Sequence, residues 1–182
     1  YTVGFNLSDY QSEVTKFDNE SKELGNWYVG QKQGEIWGYE TYGLFQSEQE
    51  IAGAANQDKV SGGIKLMPGD IRFVDRNNDG VIDWGDNTVD NPGDKKIIGN
   101  STPRYHYGIN LGADWKGFDL GIFFQGVGKR DLYLPGTSFR SHYGSEWQVP
   151  SAYNNDYWTE ENTGAYFPRA RFNGGSAINQ AQ

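Results

Sequence analysis

The stretch DRNNDGVIDWGD, residues 75–86, contains the residues whose types and spacing could do chemistry. If Asp75 is position 1, side-chain oxygens fall at positions 1, 3, 5, 9 and 12, and glycine falls at position 6. This is the spacing of an EF-hand-type calcium loop, with aspartate in place of glutamate at position 12. The predicted ligands are Asp75, Asn77, Asp79, the backbone carbonyl of Val81, Asp83 and Asp86.

Calcium would explain why a chain of net charge −8 crowds carboxylates into one turn. The ion takes six to eight oxygens and neutralises carboxylates that would otherwise repel each other, and Gly80 permits the sharp turn. Ile82, the apolar residue at position 8, is predicted to pin the loop to neighbouring structure. Asp86 reaches less far than glutamate, which leaves Mg²⁺ as an alternative ion. The other interpretation is an Asx-rich turn with no ion, because Asn, Asp and Gly favour turns in any case.

The segments around this loop indicate short elements and not the helix pair of an EF-hand, so the ion is expected to be structural. GDIRFV, just before the loop, is typical of a strand. Ser47 and Glu50 fit a helical capping box. The composition of residues 52–63 predicts a flexible linker.

Residues 105–128 give the clearest periodicity in the chain. Apolar and polar or glycine residues alternate over 105–115 and again over 118–126, with Lys116-Gly117 between them. Two alternating strands joined by a two-residue Xaa-Gly turn predict a β-hairpin. Residues 1–17 are predicted to be a further strand. A strand of about 11 residues crosses a bilayer when tilted, and Trp115 and Phe118 flank the turn as an aromatic girdle would. A soluble sandwich hairpin with one face on a core is the alternative.

Composition narrows the class of protein. Aromatic residues make up 15% of the chain and glycine supplies 25 of its 182 residues, which favours strands and turns. The negative charge argues against a nucleic-acid partner. The absence of cysteine excludes a disulfide framework and a cysteine zinc site.

The sequence does not predict an enzyme. His106 and His142 are its two histidines, and no nucleophile-elbow motif accompanies them. The carboxylates of Glu146, Asp156, Glu160 and Glu161 are interpreted as solvated loop charges rather than a glycosidase pair. Aromatic residues of the region 129–182 are candidates for stacking on sugar rings, for contacting a partner protein or for packing the loop: Trp147, Tyr153, Tyr157, Trp158 and Tyr166.

A series of ordered motifs resembles the SusC/RagA family of TonB-linked outer-membrane receptors. The motifs are Pro68-Gly69-Asp70, the acidic loop, Ile98-Gly99-Asn100, Pro103, Tyr107-Gly108, Lys116-Gly117-Phe118-Asp119-Leu120 and Gln125-Gly126. The resemblance covers about residues 35–135. The segment NTVDNPGDKK, residues 87–96, departs from the family pattern as an insert.

This resemblance implies an all-β fold: antiparallel strands of a transmembrane barrel of about 22 strands, with long extracellular loops. Residues 1–17 would be one barrel strand, 18–104 a loop region that carries the calcium loop 75–86, 105–128 a barrel hairpin and 129–182 a second loop region. The chain would be a fragment of the C-terminal half of an outer-membrane transporter. Such receptors import glycans or peptides with energy from the TonB complex and with a SusD-like lipoprotein as partner. The alternative is a soluble calcium-stabilised carbohydrate-binding β module.

Overall fold

A computed structural model describes residues 1–132 and 156–170. In these residues the structure has seven strands and two short helices, in agreement with the all-β prediction. Their bounds, in chain order, are β1 Thr2–Ser8, β2 Glu35–Tyr39, β3 Thr41–Leu44, α1 Glu48–Ala52, α2 Asp58–Ser61, β4 Ile71–Phe73, β5 Lys95–Asn100, β6 Arg104–Trp115 and β7 Phe118–Lys129. Neither helix in this part of the chain is long and apolar enough to cross a membrane.

The chain forms two compact units. Among the described residues, the first comprises 1–20, 26–36 and 99–132, and the second comprises 21–25, 37–98 and 156–170. The first unit contains a three-stranded antiparallel sheet in the order β1-β6-β7. Two further pairs, β2 with β5 and β3 with β4, form two-stranded sheets.

The hairpin of β6 and β7 turns at Lys116 and Gly117. Their φ angles are 50° and 84°, so both central residues lie in the left-handed region, as a type I′ hairpin turn requires. The twist of this turn matches that of the strands, which keeps the pairing in register from Trp115–Phe118 to His106–Val127. The two-residue turn therefore fixes which side chains share a face.

The register of β1, β6 and β7 separates apolar from polar rows. Phe5, Ile109 and Phe124 lie side by side across the three strands, and so do Val3, Leu111 and Ile122. On the opposite face Asn6 aligns with Gly108 and Gln125. The complete apolar row consists of Val3, Phe5, Leu7, Tyr107, Ile109, Leu111, Ala113, Trp115, Phe118, Leu120, Ile122 and Phe124.

Strand β1 is shorter than the predicted strand over residues 1–17. It ends at Ser8, and residues 9–17 contain one isolated bridge, between Glu13 and Lys32. The carboxylate of Asp9 accepts hydrogen bonds from the guanidinium of Arg104 and from the backbone N–H of Tyr105. The side chain of Asp9 thus bonds to Arg104 and Tyr105 at the start of β6. The period-two alternation of residues 1–17 does not by itself show that β1 ends at Ser8.

The second unit has a small hydrophobic core of Ile71, Phe73 and Ile82. Ile71 and Phe73 come from β4, which confirms the strand predicted before the acidic loop. Ile82 is fully buried, and this confirms its predicted role in pinning the loop. The hydroxyl of Ser47 accepts the N–H of Glu50 at 3.2 Å at the start of α1, as the capping motif predicts.

The prediction of a flexible linker over residues 52–63 is wrong. Residues Asp58–Ser61 form α2, and the Gln57 side chain before it is buried. Its amide donates to the carbonyl of Ile71 at 3.0 Å and accepts the N–H of Phe73 at 2.8 Å. A glutamine amide has the donor and the acceptor of a peptide group, so it pairs with β4 as a short strand would.

Candidate functional site

The acidic loop is held at its base by β4 and by Asn56. The backbone N–H of Asn56 donates to the carbonyl of Gly80 at 2.8 Å, and the N–H of Ile82 donates to the carbonyl of Asn56 at 2.7 Å. These bonds form an isolated parallel bridge between Asn56 and Val81. The loop is therefore fastened on both sides of Val81, directly after its glycine.

The first half of the loop is organised by side-chain oxygens that accept backbone N–H groups within the loop. Asp75 Oδ2 accepts the N–H of Gly80 at 2.9 Å, and Asn77 Oδ1 accepts the N–H of Asp79 at 3.1 Å. Asp79 Oδ1 accepts the N–H of Val81 at 2.8 Å. Gly80 has φ of 84°, a conformation that a side chain would strain.

One oxygen of this half has no hydrogen-bond partner. Asp75 Oδ1 is buried and accepts no bond, although a buried carboxylate oxygen is costly without a donor or a cation. Asp75 is position 1 of the predicted calcium loop. The sequence predicts a carboxylate at this position to be a ligand of the loop cation.

The second half of the loop is engaged by other side chains. Asp83 Oδ1 accepts the N–H of Gly85 at 2.8 Å, and its Oδ2 lies 2.6 Å from the ammonium of Lys59. Asp86 Oδ2 accepts the side-chain amide of Asn91 at 2.8 Å. Among the described residues, no group of three or more acidic or histidine side chains is gathered as a metal site.

The Lys59 ammonium and the Gly85 N–H lower the pKa of the Asp83 carboxyl below its ordinary value. The same ion pair raises the pKa of Lys59. Both groups are therefore charged at neutral pH, and position 9 of the loop already has a cationic neighbour.

Asp94, which the sequence analysis did not single out, joins positions 2 and 9 of the loop. It is fully buried, and its two carboxylate oxygens accept the N–H of Arg76 at 2.7 Å and the N–H of Asp83 at 2.8 Å. The N–H of Asp94 donates in turn to the carbonyl of Asp83 at 2.9 Å. Asp94 lies in the insert 87–96, so this insert is structurally part of the loop.

Two glycines let the insert approach the loop closely. A Cβ on Gly93 would lie 2.4 Å from the backbone nitrogen of Gly85, and a Cβ on Gly85 would lie 2.7 Å from that of Gly93. Both residues also have positive φ. The pair Gly85 and Gly93 was the sequence signal for this contact, although two glycines eight positions apart do not by themselves show that they touch.

Tyr39 lies beside this cluster. Burial and the charges of Asp83 and Asp94 raise the pKa of its hydroxyl to about 12, so the group stays neutral. Its hydroxyl is the second buried side-chain atom, in the described part of the chain, that has no hydrogen-bond partner.

The candidate binding aromatics fall into two groups. Trp147 and Tyr153, like His142 and Glu146, lie outside the described residues. Tyr157, Trp158 and Tyr166 lie within them. Tyr166 is exposed, whereas Trp158 is 4% exposed and its indole N–H donates to Gln46 Oε1 at 3.1 Å.

Trp158 packs against the turn before β4. A Cβ on Gly69 would lie 2.4 Å from the indole ring, so only glycine leaves room for this contact. The Arg169 guanidinium lies over the indole, 5.5 Å from the ring centroid to Cζ. These contacts account for the buried indole as an anchor of its own segment, which was one of the predicted alternatives.

A surface depression of about 370 Å³ lies beside Trp158. Tyr157, Glu160, Glu161 and Arg169 line it with aromatic, acidic and basic groups. Glu160 and Glu161 therefore lie at a concave part of the surface.

The sheet of β1, β6 and β7 presents its apolar row without a protein covering among the described residues. Phe118 is 74% exposed, Phe5 67% and Leu120 59%. Ile109, Leu111, Leu120 and Ile122 do not form a core. His106 lies on the opposite, polar face, and its ring is stacked with that of Tyr10 at a centroid distance of 6.5 Å.

Comparison with known proteins gives two relatives, and no family model matches the chain. TonB-dependent receptor P39 of Formosa agariphila is 26% identical over 182 aligned positions, which cover 83% of this chain and 17% of the relative. TonB-dependent receptor P3 of the same bacterium is 33% identical over 96 positions, which cover 53% of this chain and 8% of the relative.

The chain therefore spans less than a fifth of the length of either relative. The similarity supports TonB-dependent receptors as the related family. These relatives are named as receptors and not as enzymes, and their names distinguish no branch of the family.

Proposed function

We propose that this chain is a segment of a TonB-dependent outer-membrane transporter of the SusC/RagA type. Strands β1, β6 and β7 would belong to its barrel wall, and residues 18–103 and 130–182 to its extracellular loops. The observation that carries the proposal is the apolar row of the sheet, which is exposed along all three strands except at the half-buried Ile109. Lipid is the solvent that favours such a face, and a closed barrel is the sheet structure that spans lipid.

The dimensions and the second face of the sheet support the same placement. β6 and β7 each have 12 residues, and about 9–11 suffice for a tilted strand to cross the hydrocarbon. The opposite face presents Asn6, Asn110 and Gln125 among glycines, with Phe123 as an exposed aromatic residue beside Asn110, which suits a wet or crowded barrel interior. The tight turn at Lys116-Gly117 would lie on the periplasmic side, where barrel turns are short.

The partners and cargo follow from the family resemblance. A SusD-like lipoprotein would cover the extracellular side, the TonB complex would act through parts of the protein outside this chain, and the cargo would be a glycan or a peptide. The competing soluble carbohydrate-binding module draws on the depression beside Tyr157. It would need another chain to cover the apolar row.

Spin labels at two neighbouring positions test the barrel placement in the full-length protein reconstituted in lipid. This chain has no cysteine of its own, so Ile122→Cys and Gly121→Cys each add one labelling site to it. A Cβ on Gly121 meets nothing within 4 Å, so the substitution fits. The label at Ile122 is expected to collide mainly with lipid-soluble O₂, and the label at Gly121 mainly with a water-soluble nickel chelate. Equal nickel accessibility at both positions would reject the placement.

We further propose that the acidic loop binds a structural cation, Ca²⁺ or alternatively Mg²⁺. Asp75, Asn77, Asp79, the carbonyl of Val81, Asp83 and Asp86 would hold it. The orphaned Asp75 Oδ1 and the ordered first half of the loop support this assignment. Asp83 and Asp86 would have to exchange Lys59 and Asn91 for the ion. When bound, the ion neutralises the loop carboxylates.

Removal of the ion is expected to lower the thermal stability of the loop region, and calcium is expected to restore it. A ligand at about 100 times its Kd stabilises the folded form by about 2.7 kcal/mol. The fluorescence of Trp84, which lies within the loop, reports the unfolding transition during a chelator and calcium titration. The variant Asp75→Asn keeps an acceptor for Gly80 but loses the charge, so it should show no calcium shift. Identical unfolding of the wild type in chelator and in calcium would contradict a cation site.

A further inference from the structure

The ammonium of Lys59 forms an ion pair with Asp83, the carboxylate at position 9 of the acidic loop. Its Nζ lies 2.6 Å from Asp83 Oδ2, and the other oxygen of Asp83 is taken by the N–H of Gly85. An ion that recruited Asp83 would therefore have to compete with a cation that belongs to the chain itself.

This contact is built by anchored elements on both sides. Asn56, three residues before Lys59, forms the bridge to Val81, and Gln57 is locked to the backbone of β4. α2 ends at Ser61 and is capped by Gly62, whose φ of 68° is the left-handed conformation of a helix C-cap. The backbone that carries Lys59 is thus fixed against the loop, and the Asp83 side chain is largely buried.

We propose that Lys59 is a tethered competitor of the loop cation and sets the affinity of the site. The inference rests on the proposed cation site and adds the residue that tunes it. An ammonium satisfies one carboxylate, whereas Ca²⁺ gathers six to eight oxygens. The ammonium closes position 9 and leaves Asp75 Oδ1 without a partner. Lys59 therefore stabilises the ion-free loop in part and weakens the binding of the divalent ion.

Three variants of the full-length protein separate this role from a general charge effect. Lys59→Met removes the competing charge, and Lys59→Arg retains it. Lys22→Met removes an equal charge from the exposed ion pair with Asp90, at 3.3 Å, which involves no loop ligand. Affinity is measured by Tb³⁺ luminescence sensitised by Trp84 and by its displacement with Ca²⁺, and Trp84→Phe identifies the signal of this loop.

Lys59→Met is expected to tighten Ca²⁺ binding about two- to fivefold, because the Lys59 side chain is 55% exposed and an ion pair with one solvated partner is weak. Lys59→Arg and Lys22→Met are expected to bind as the wild type does. The ion-free Lys59→Met protein should unfold at a lower temperature and gain more from calcium than the wild type.

Two different results would overturn the inference. If the wild type binds Ca²⁺ and Lys59→Met binds it equally or more weakly, Lys59 is a structural residue and the cation site stands without it. If neither protein binds Tb³⁺ or Ca²⁺, the cation site itself is wrong, and the role of Lys59 as a competitor is wrong with it.

Discussion

Replacing Leu111 by arginine is expected to prevent most of the full-length protein from assembling in the outer membrane. Leu111 lies in the middle of the apolar row, between Val3 and Ile122 on the neighbouring strands. An arginine on the lipid face of a barrel near the bilayer midplane costs about 2–4 kcal/mol. The measurement is the yield of heat-modifiable, folded protein in isolated outer membranes, followed by the urea midpoint for folding into lipid vesicles.

Asn110→Arg supplies the matched control. Asn110 is the preceding residue on the same strand and belongs to the polar row, between Gly4 and Phe123. The same side chain at nearly the same depth should therefore be tolerated there far better than at Leu111. If Leu111 instead faced water, the same substitution would place a charge on an exposed position and change stability by roughly 0.5 kcal/mol or less. Equal assembly of the two variants would thus contradict the lipid-facing assignment.

The hairpin was predictable because all its information is local. Alternation with a period of two assigns each residue of 105–126 to a face, and Lys116-Gly117 supplies the two left-handed residues that fix the register. The end of β1 at Ser8 was not predictable in this way. It coincides with the contacts of Asp9 with Arg104 and Tyr105, which come from a distant part of the chain.

The acidic loop shows the same division between local and distant information. Its glycine, its internal hydrogen bonds and the burial of Ile82 follow from spacing within twelve residues. The contacts of Asp83 with Lys59 and Asp94 join residues 24 and 11 positions apart. The composition of residues 52–63 predicted a flexible linker. Composition cannot show that the Gln57 amide forms hydrogen bonds with the backbone of β4.

Asp94 acts as a buried clamp of the acidic loop, because its carboxylate accepts the backbone N–H groups of Arg76 and Asp83. Asp94→Ala is expected to lower the free energy of unfolding of the loop region by about 3–5 kcal/mol, because the N–H groups of Arg76 and Asp83 each lose a charged acceptor worth about 1.5–3 kcal/mol. The loss should appear in chelator as well as in calcium, since the clamp bonds to the backbone and not to the predicted ligand oxygens. Denaturant titration followed by Trp84 fluorescence measures it.

Asp90→Ala removes a carboxylate from the same insert at an exposed position, where it pairs with Lys22 at 3.3 Å. An exposed ion pair contributes about 1 kcal/mol or less, so this control should remain close to the wild type. Asp94→Asn keeps one acceptor oxygen and should fall between the two. A loss for Asp94→Ala no greater than that for Asp90→Ala would show that the loop closes without the clamp, and that the contacts of Asn56 and Ile82 suffice to hold it.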